Sequence, residues 1–293
     1  MIRHFAYNEI DFQKYRLCLR NSCQNSDYAL PEFLNIVAGK NWNLLVYGNY
    51  EAVMPVCYVK KLGFKIVLMP KLCQQLGIFS QQDQPDVNLE FYNYLQQNFR
   101  VLYYAFNGEN HFELKQRTSY QLSSKSYEET RKNYSMHRRR NVRITEKLAD
   151  KIVFRNDLQD GDRAFFLKHI RGVNKLKDAE KYFELMKKCL SKKLGHYRVL
   201  EYSGEIQSLV YLYEGGKNIY LSLFINNYPL ADANLPSIMI DHILQEFIEV
   251  KGFDFMGSEV SSVAQFNELF GARAYHYPIV HNTKKFLVRN FFS

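Results

Sequence analysis

The chain has 293 residues, of which 46% are hydrophobic, so it is long enough for two ordinary domains and is not globally disordered. No apolar run approaches the ~18 residues of a membrane span, and the first residues lack a signal-peptide core, so we expect a cytoplasmic protein. The formal net charge of +9 indicates an anionic partner: a nucleic acid, a phosphorylated ligand or a membrane surface.

Metal, redox and nucleotide motifs are missing from the sequence. The five cysteines are dispersed without CxxC spacing, which is typical of reduced, mostly buried thiols and predicts no structural metal. HExxH, the phosphate P-loop and GxGxxG are absent, and no serine, histidine and acid arrangement stands out. Metalloprotease, kinase, dehydrogenase and hydrolase functions therefore have no support.

The first part of the chain alternates helical and strand patterns. Helices are predicted over residues 10–23 and 31–38, followed by a three-strand meander over 42–48, 51–60 and 64–70. After a polar loop, we expect a helix over 87–99 and a buried strand over 101–106.

The most polar segment follows, over residues 116–147, and its positive charge is concentrated in 131–143. Few prolines or glycines interrupt it, so we expect helix rather than a flexible linker. Arg139 and Arg143 are four residues apart and share a helix face, as do Arg140 and Lys147.

The order of elements is then repeated. Helices are predicted over 163–169 and 179–190, and a meander over 196–202, 205–213 and 217–225. A helix over 236–251 has Pro236 in its first turn and Gly252 as its left-handed stop, with Asp241 and His242 on the solvated face. A short strand over 253–256 and a helix over 261–270 follow. This repetition predicts a structural duplication, although the two halves share almost no identity.

Five local motifs occur in an order that resembles one known family: 52–55 (AVMP), 70–77 (PKLCQQLG), 140–143 (RNVR), 253–258 (FDFMGS) and 266–272 (FNELFGA). Together with the duplicated pattern, they resemble the short bacterial FemABX-like acyltransferases of the GNAT superfamily. The resemblance implies an α/β fold (α+β, mixed sheet) of two tandem GNAT-like domains, at 1–115 and 151–293, joined by a basic helical segment at 116–150.

Two features depart from the family pattern. The phosphate-cradling R-x-x-G-x-G/A of CoA-using GNAT enzymes is missing, because residues 226–236 contain no glycine. This absence argues against an acetyl-CoA donor. The long two-helix arm of some peptidoglycan-bridge members is also missing, so the shorter members are the better comparison.

The resemblance implies an N-acyltransferase or aminoacyltransferase. The donor would be aminoacyl-tRNA or acyl-CoA, including acetyl-CoA, and the acceptor an amine of a peptidoglycan precursor, another cell-envelope precursor or a small metabolite. No metal or further cofactor is implied. Two alternatives remain open: a plain acetyl-CoA-dependent GNAT N-acetyltransferase, and a non-catalytic nucleic-acid-binding protein that uses the segment 116–147.

The acceptor amine must lose a proton before it can attack. A lysine-like amine has a pKa of about 10.4 and is neutral in about one molecule in 10³ at pH 7, so a nearby carboxylate helps. Glu259 and Asp254 lie at the predicted strand end and are the candidate bases. Ser258 is a candidate hydrogen-bond donor to the acyl group, and Tyr220 a candidate acid. Alternatively, Ser258 and Glu259 cap the last helix, and Tyr220 packs in the core.

Donor and acceptor contacts are predicted from charge and loop position. Backbone N–H groups of residues 220–224 are candidate oxyanion donors. The candidate donor-binding residues are Asn226, Asn234, Ser237, Arg138, Arg139, Arg140 and Arg143. The candidate acceptor-binding residues are Gln74, Gln75 and Tyr228. Alternatively, the arginines solvate an exposed helix, and the two glutamines satisfy the backbone of their own tight loop.

Overall fold

A computed structural model describes residues 1–61, 63–227, 234–257 and 259–283, apart from the side chains of 145, 146 and 149. The chain divides into two compact units. The first comprises residues 1–118 and 276–283, and the second comprises 119–275. The segment 119–150, expected between two domains, thus belongs to the second unit, and residues 276–283 belong to the first.

The first unit begins with a mixed sheet and three helices. Its elements are β1 (Ile2–Phe5), α1 (Phe12–Asn21), α2 (Pro31–Val37), β2 (Trp42–Tyr47), β3 (Ala52–Lys61), β4 (Phe64–Val67), β5 (Phe79–Ser80), α3 (Pro85–Asn98), β6 (Arg100–Val101) and β7 (Tyr103–Ala105). The strand order is β1-β2-β3-β4-β6, and β5 also pairs with β3. All pairs are antiparallel except β4–β6, which is parallel.

The second unit carries the larger set of elements. They are β8 (Lys115–Leu122), α4 (Tyr127–Lys132), α5 (Met136–Leu148), β9 (Ile152–Arg155), α6 (Asp160–His169), α7 (Leu176–Ser191), β10 (Gly195–Tyr202), β11 (Glu205–Glu214), β12 (Asn218–Asn226), α8 (Leu235–Phe247), β13 (Gly252–Asp254), α9 (Ser261–Glu268) and β14 (Arg273–His281). The chain enters this unit within β8 and leaves it within β14. In the first unit, Ile279, Val280 and His281 of β14 pair with β7.

The same connection appears in both units. In the first, the meander β2-β3-β4 is followed by α3, and the next strand, β6, pairs parallel with β4. In the second, the meander β10-β11-β12 is followed by α8, and β13 pairs parallel with β12. A parallel pair needs such a helical crossover. The structural duplication predicted from the pattern is therefore present in the topology.

The core of the second unit lies between its sheet and α8. Ile240, Ile243 and Leu244 of α8 are fully buried, as are Val210 and Leu212 of β11. The apolar stripe predicted for this helix thus packs as expected. Pro236 occupies the first turn of α8, where its missing N–H costs no hydrogen bond.

The structure corrects several expected elements. Residues 116–122, expected as helix, belong to β8, in which Tyr120 and Leu122 are buried, and the helices begin only at Tyr127. The helix expected to end at Gly252 ends at Phe247, and Gly252 begins β13 outside the left-handed region. The strands β1, β5, β9 and β14 were not predicted. Of the cysteines, Cys23 is exposed and the other four are buried and reduced.

Candidate acyl-transfer site

Strands β12 and β13 part at the middle of the second unit's sheet. They pair at only three positions, and the last pair joins Tyr220 to Asp254. Strand β13 ends there, whereas β12 continues to Asn226. After the strand end, the Phe255 N–H donates to Tyr120 O at 2.9 Å, and Met256 adopts a positive φ of 53°. The chain therefore turns away from β12, and the backbone of residues 221–226 does not pair with β13.

Asp254 is buried at this strand end, with 2% of its surface exposed. Its Oδ1 accepts hydrogen bonds from Ser119 Oγ at 3.0 Å and the Met256 N–H at 2.7 Å, and its Oδ2 accepts from Tyr275 Oη at 2.7 Å. Burial raises the pKa of Asp254, although these hydrogen bonds oppose the shift. The side chain that the sequence offers as a base is thus held as a structural acceptor.

Two further candidates, Tyr220 and Asn226, also face inward on β12. The Tyr220 ring stacks on Tyr213, with centroids 5.8 Å apart, and is almost fully buried. Asn226 is buried and accepts a hydrogen bond from Ser208 Oγ at 2.6 Å. Both are packed within the unit, which agrees with the packing alternative for Tyr220.

The first turn of α8 meets a buried arginine from α5. Arg138 donates from Nη1 to Ser237 Oγ and from Nη2 to Phe266 O at 3.0 Å. Its guanidinium carbon lies 4.3 Å from the ring centroid of Phe266 and 4.1 Å from that of Phe270. The structure thus brings together two of the predicted donor-binding residues, Arg138 and Ser237, at a helix N-terminus.

Arg138 is a buried cation that Asp241 stabilises electrostatically but does not bond. The residue is 1% exposed, burial lowers its pKa to about 10, and its Nε has no hydrogen-bond partner among the described residues. A buried charge without a bonded partner of opposite sign is costly. This guanidinium and the positive end of the α8 dipole together favour an anion at this place.

A hydrogen-bonded cluster one turn further along the same face of α8 was not predicted. Asp241 accepts hydrogen bonds from Tyr127 Oη at 3.0 Å and Tyr134 Oη at 2.9 Å. Burial raises the pKa of Asp241, and raises those of both tyrosines. Helical periodicity alone places Asp241 on a solvated face, because it does not reveal that α4 and α5 cover the residue.

The exposed face of α4 and α5 is strongly basic. Arg131, Lys132, Arg139 and Arg143 line a pocket of about 480 Å³, together with the single carboxylate of Glu128. Arg139 and Arg143 share this face, as their spacing predicts, and Arg140 is exposed. Of the four arginines predicted to contact donor phosphates, Arg138 therefore points inward and the other three lie at the surface.

The predicted acceptor-binding glutamines lie in the first unit. Gln75 is buried, its Nε2 donates to Gln74 Oε1 at 3.1 Å, and its Oε1 accepts from the Gly108 N–H at 3.0 Å. Gln75 therefore binds the backbone of a second loop, 33 residues further along the chain, rather than that of its own loop.

The remaining candidates lie near α8 and α9. Ser258 and Tyr228 lie outside the described residues. Glu259 is exposed, and the N-cap of α9 is Val260, which supplies no side-chain cap. Asn234 is the N-cap of α8 in a left-handed conformation, and its side chain makes no capping hydrogen bond.

His242 is another correction, because it is not solvated as expected. Its ring stacks on Phe154, with centroids 3.8 Å apart and planes at 13°, and burial lowers its pKa. It lines a pocket of about 390 Å³ with Arg155, Arg198 and Glu246. Arg198 donates to Glu246 from Nε at 2.9 Å and from Nη2, so the charged groups of this pocket are already paired.

Metal-ligand clusters and membrane-spanning helices are both missing from the described residues. No group of three or more histidine, cysteine, aspartate or glutamate side chains there is arranged to hold a metal ion. No helix in the same part of the chain is both long and apolar enough to cross a membrane.

A duplicated meander, crossover helix and parallel strand, with two diverging strands and a helix N-terminus that follows the first of them, define a tandem GNAT-type fold of the FemABX-like kind. No family model and no curated protein sequence matches the chain. Solved structures do match, at identities that concern the fold alone. FemX aligns with a TM-score of 0.66 and 10% identity over 92% of this chain and 95% of its own.

Two further structures support the same fold. A tandem GNAT protein from the clavulanic acid biosynthesis pathway aligns with a TM-score of 0.53 and 8% identity, over 95% of this chain and 97% of that chain. L-PGS from Bacillus licheniformis aligns with a TM-score of 0.52 and 12% identity, over 96% of this chain and 95% of that chain. Each covers almost the whole length of both proteins, so the tandem arrangement itself is shared.

Proposed function

We propose that this protein is an acyltransferase that moves an acyl or aminoacyl group from an activated donor to an amine of a cell-envelope precursor or small metabolite. The divergence of β12 from β13, followed along the chain by the N-terminus of α8, is the observation that supports this most. It leaves backbone donors and a helix N-terminus in one unit. The activated donor, acyl-CoA or aminoacyl-tRNA, is the only co-substrate in this proposal.

In this proposal, the backbone N–H groups of β12 that do not pair with β13 stabilise the oxyanion that develops during the reaction. Attack of an amine on an ester or thioester carbonyl places negative charge on the carbonyl oxygen, and fixed N–H donors stabilise that charge. The N–H groups of residues 221–226 on the side that β13 leaves are such donors. The attacking nitrogen and the carbonyl carbon are held side by side, which supplies much of the rate.

In this proposal, Glu259 removes the proton from the attacking amine. Both carboxylate oxygens of Asp254 already accept hydrogen bonds within the fold, whereas Glu259 is exposed five residues further along the chain. The Glu259 carboxylate accepts the proton from the attacking nitrogen as the C–N bond forms, and the departing thiolate or alkoxide oxygen is protonated in turn. Neutral amide product and free thiol or tRNA hydroxyl then leave.

The donor phosphates are held by positive charge at α8 and α5. The α8 N-terminus and the buried Arg138 attract an anion, although the glycine-rich loop of CoA-using enzymes is missing. The basic pocket of Arg131, Lys132, Arg139 and Arg143 provides further phosphate contacts. A donor with several phosphates fits both places.

The test is transfer of a labelled acyl group. The full chain is incubated with acetyl-CoA or with aminoacyl-tRNA and a panel of amine acceptors, and products are followed by mass spectrometry. Arg138→Met, which removes the buried charge at similar volume, should abolish transfer and donor-induced stabilisation. It also removes the donor of Ser237 Oγ and Phe266 O, so the melting temperature of the unliganded protein should fall by several degrees. Lys187→Ala, on exposed α7, is the matched control. Absence of transfer with both donors, across the acceptor panel, would overturn the proposal.

A non-catalytic nucleic-acid-binding protein is a second candidate, favoured by the same basic pocket on α4 and α5. It predicts affinity for RNA that falls steeply with salt and no acyl transfer to any amine. A plain acetyl-CoA-dependent N-acetyltransferase instead predicts a rise in melting temperature with CoA and none with aminoacyl-tRNA.

A further inference from the structure

A carboxylate in the first unit accepts hydrogen bonds from five donor groups. Asp83 Oδ1 accepts from Gln24 Nε2 at 3.1 Å, Asn88 Nδ2 at 2.9 Å and Asn110 Nδ2 at 3.1 Å. Its Oδ2 accepts from the His111 N–H at 3.3 Å and His111 Nδ1 at 2.9 Å. Burial alone would raise the pKa of Asp83, but the hydrogen bonds from Asn88, His111 and Asn110 lower it. Asp83 is therefore a fixed, ionised acceptor.

This acceptor determines the tautomer of His111. An ionised carboxylate can only accept hydrogen bonds, so the ring nitrogen that faces it, Nδ1, carries the proton. In the neutral imidazole, Nε2 is then a hydrogen-bond acceptor with its lone pair directed away from Asp83. A carboxylate that binds one ring nitrogen of a histidine fixes the orientation of the ring.

His111 lines an open pocket of about 400 Å³. The pocket is bounded by Gly108, Asn110, His111, Phe112, Glu113, Gln116 and Pro278, all of the first unit. The Phe112 ring packs against Phe106, with centroids 4.5 Å apart, which gives the pocket an apolar wall. Glu113 supplies a carboxylate, and no lysine or arginine is among these lining residues.

The loop beneath the pocket is held in one conformation. Asn110 Oδ1 accepts from the Ile78 N–H at 2.9 Å, and Asn110 Nδ2 donates to Ile78 O at 3.0 Å. Gly77 has φ +111°, and a Cβ there would lie 2.4 Å from Asn110 Oδ1. The Gly108 N–H is bound by Gln75, as described above. These contacts form a preorganised support behind His111 and Glu113.

We propose that this pocket is a separate binding site in the first unit for a small ligand that carries a protonated primary amine. The ammonium group donates one N–H to His111 Nε2 and another to the Glu113 carboxylate, while the ligand's carbon skeleton packs on Phe112. The negative charges of Glu113 and, behind the imidazole, Asp83 favour a cation, and no lining cation opposes it. The site does not depend on acyl transfer by the second unit.

The test is direct binding, so its outcome is independent of any enzymatic activity. Ethanolamine and glucosamine are titrated into the ¹⁵N-labelled full chain. Their N-acetyl derivatives, which have the same carbon skeletons but no charge, are the control ligands. The amines should shift the amide signals of Gly108, His111 and Glu113, and the acetylated forms should not. Signals of the second unit, such as those of α7, report any non-specific effect.

Substitutions of two exposed residues test whether the amine binds in this pocket. Glu113→Gln and His111→Ala should each weaken amine binding by about tenfold or more, since the first removes the negative charge and the second removes the Nε2 acceptor. The matched controls are Glu90→Gln on α3 and His137→Ala on α5, both also exposed, which should leave binding unchanged. Unchanged amine binding in the Glu113 and His111 variants would overturn the proposal. So would equal shifts with the acetylated forms, or no shift with either amine.

Discussion

At the residue scale, the carboxylates Asp241 and Asp254 have two properties in common. Burial raises the pKa of each, and each accepts hydrogen bonds from tyrosine hydroxyls. A raised pKa means that the folded protein binds a proton more tightly than the unfolded chain does. Stability from such a group is greatest at low pH and is lost as the pH rises through the folded-state pKa.

Asp254→Asn should remove one such pH dependence. In wild type, the contribution of Asp254 to the free energy of unfolding should fall as pH rises from about 4, the unfolded value, to the higher folded-state pKa. A tenfold difference in proton affinity between the folded and unfolded states corresponds to about 1.4 kcal/mol. Urea unfolding of both proteins between pH 4 and 7 measures this: the stability of wild type relative to the variant should decrease with pH. A difference that increases with pH would contradict the assignment.

Glu259→Gln tests the proposed base. The variant should lower kcat/KM about 10²-fold near pH 7, with a smaller loss at higher pH where more of the acceptor amine is neutral. Because Glu259 is exposed, the melting temperature should not change. Glu205→Gln, exposed at the start of β11, is the control. Equal loss at every pH would show that Glu259 does not act through the proton.

The sequence predicted a catalytic carboxylate at the end of the strand, within residues 254–259, but could not show which carboxylate is the base. Asp254 and Glu259 differ in what surrounds them: Ser119 and Tyr275, both distant in sequence, close around Asp254. Asp241 and His242 were misplaced for the same reason, because their covering residues, Tyr134 and Phe154, come from other elements. A periodic pattern locates a helix face but not its neighbours.

At the element scale, the strong apolar patterns predicted the elements well. The two meanders, α3 and α8 follow the expected order, since their hydrophobic periodicity is long and regular. Strands β1, β9 and β14 were missed because they are short or polar on one face, and β14 has its Arg273–His276 part largely exposed. Their strand structure depends on the partner strands rather than on local sequence.

Gly77→Ala tests the support of the loop at Asn110. The backbone at Gly77 has φ +111°, and an added Cβ would lie 2.4 Å from Asn110 Oδ1 and 2.5 Å from Asn107 N. We expect a loss of about 3 kcal/mol in the free energy of unfolding, from strain and from displaced hydrogen bonds. Gly39→Ala is the matched control, since φ is +62° there and nothing lies within 4 Å. It should cost about 1 kcal/mol. Similar losses in both variants, measured by urea unfolding, would contradict this account.

At the scale of the whole molecule, part of the net charge of +9 is concentrated on α4 and α5. The four cations of their pocket have one lining carboxylate between them, whereas lysines elsewhere, such as Lys187 and Lys251, have nearby glutamates. An excess of positive charge on one face attracts phosphates from a distance and weakens with salt.

Replacing Arg139 and Arg143 with alanine should weaken binding of a single-stranded RNA or tRNA probe. The slope of log K against log salt concentration should become less steep by about 0.7 for each phosphate that the variant no longer neutralises. Lys187→Ala with Lys188→Ala on α7 removes the same formal charge from an exposed helix and is the control. Fluorescence anisotropy across a salt series measures both, and equal slopes in the two double variants would contradict a localised anion site.

The path of the chain through the two units has a consequence for synthesis. Strand β14 is translated after the entire second unit, yet its residues Ile279–His281 pair with β7 of the first. A nascent chain that has just emerged from the ribosome up to residue 275 therefore has β7 without this partner. Products of premature termination should be recognised by cellular quality control as incomplete, whichever unit had already folded.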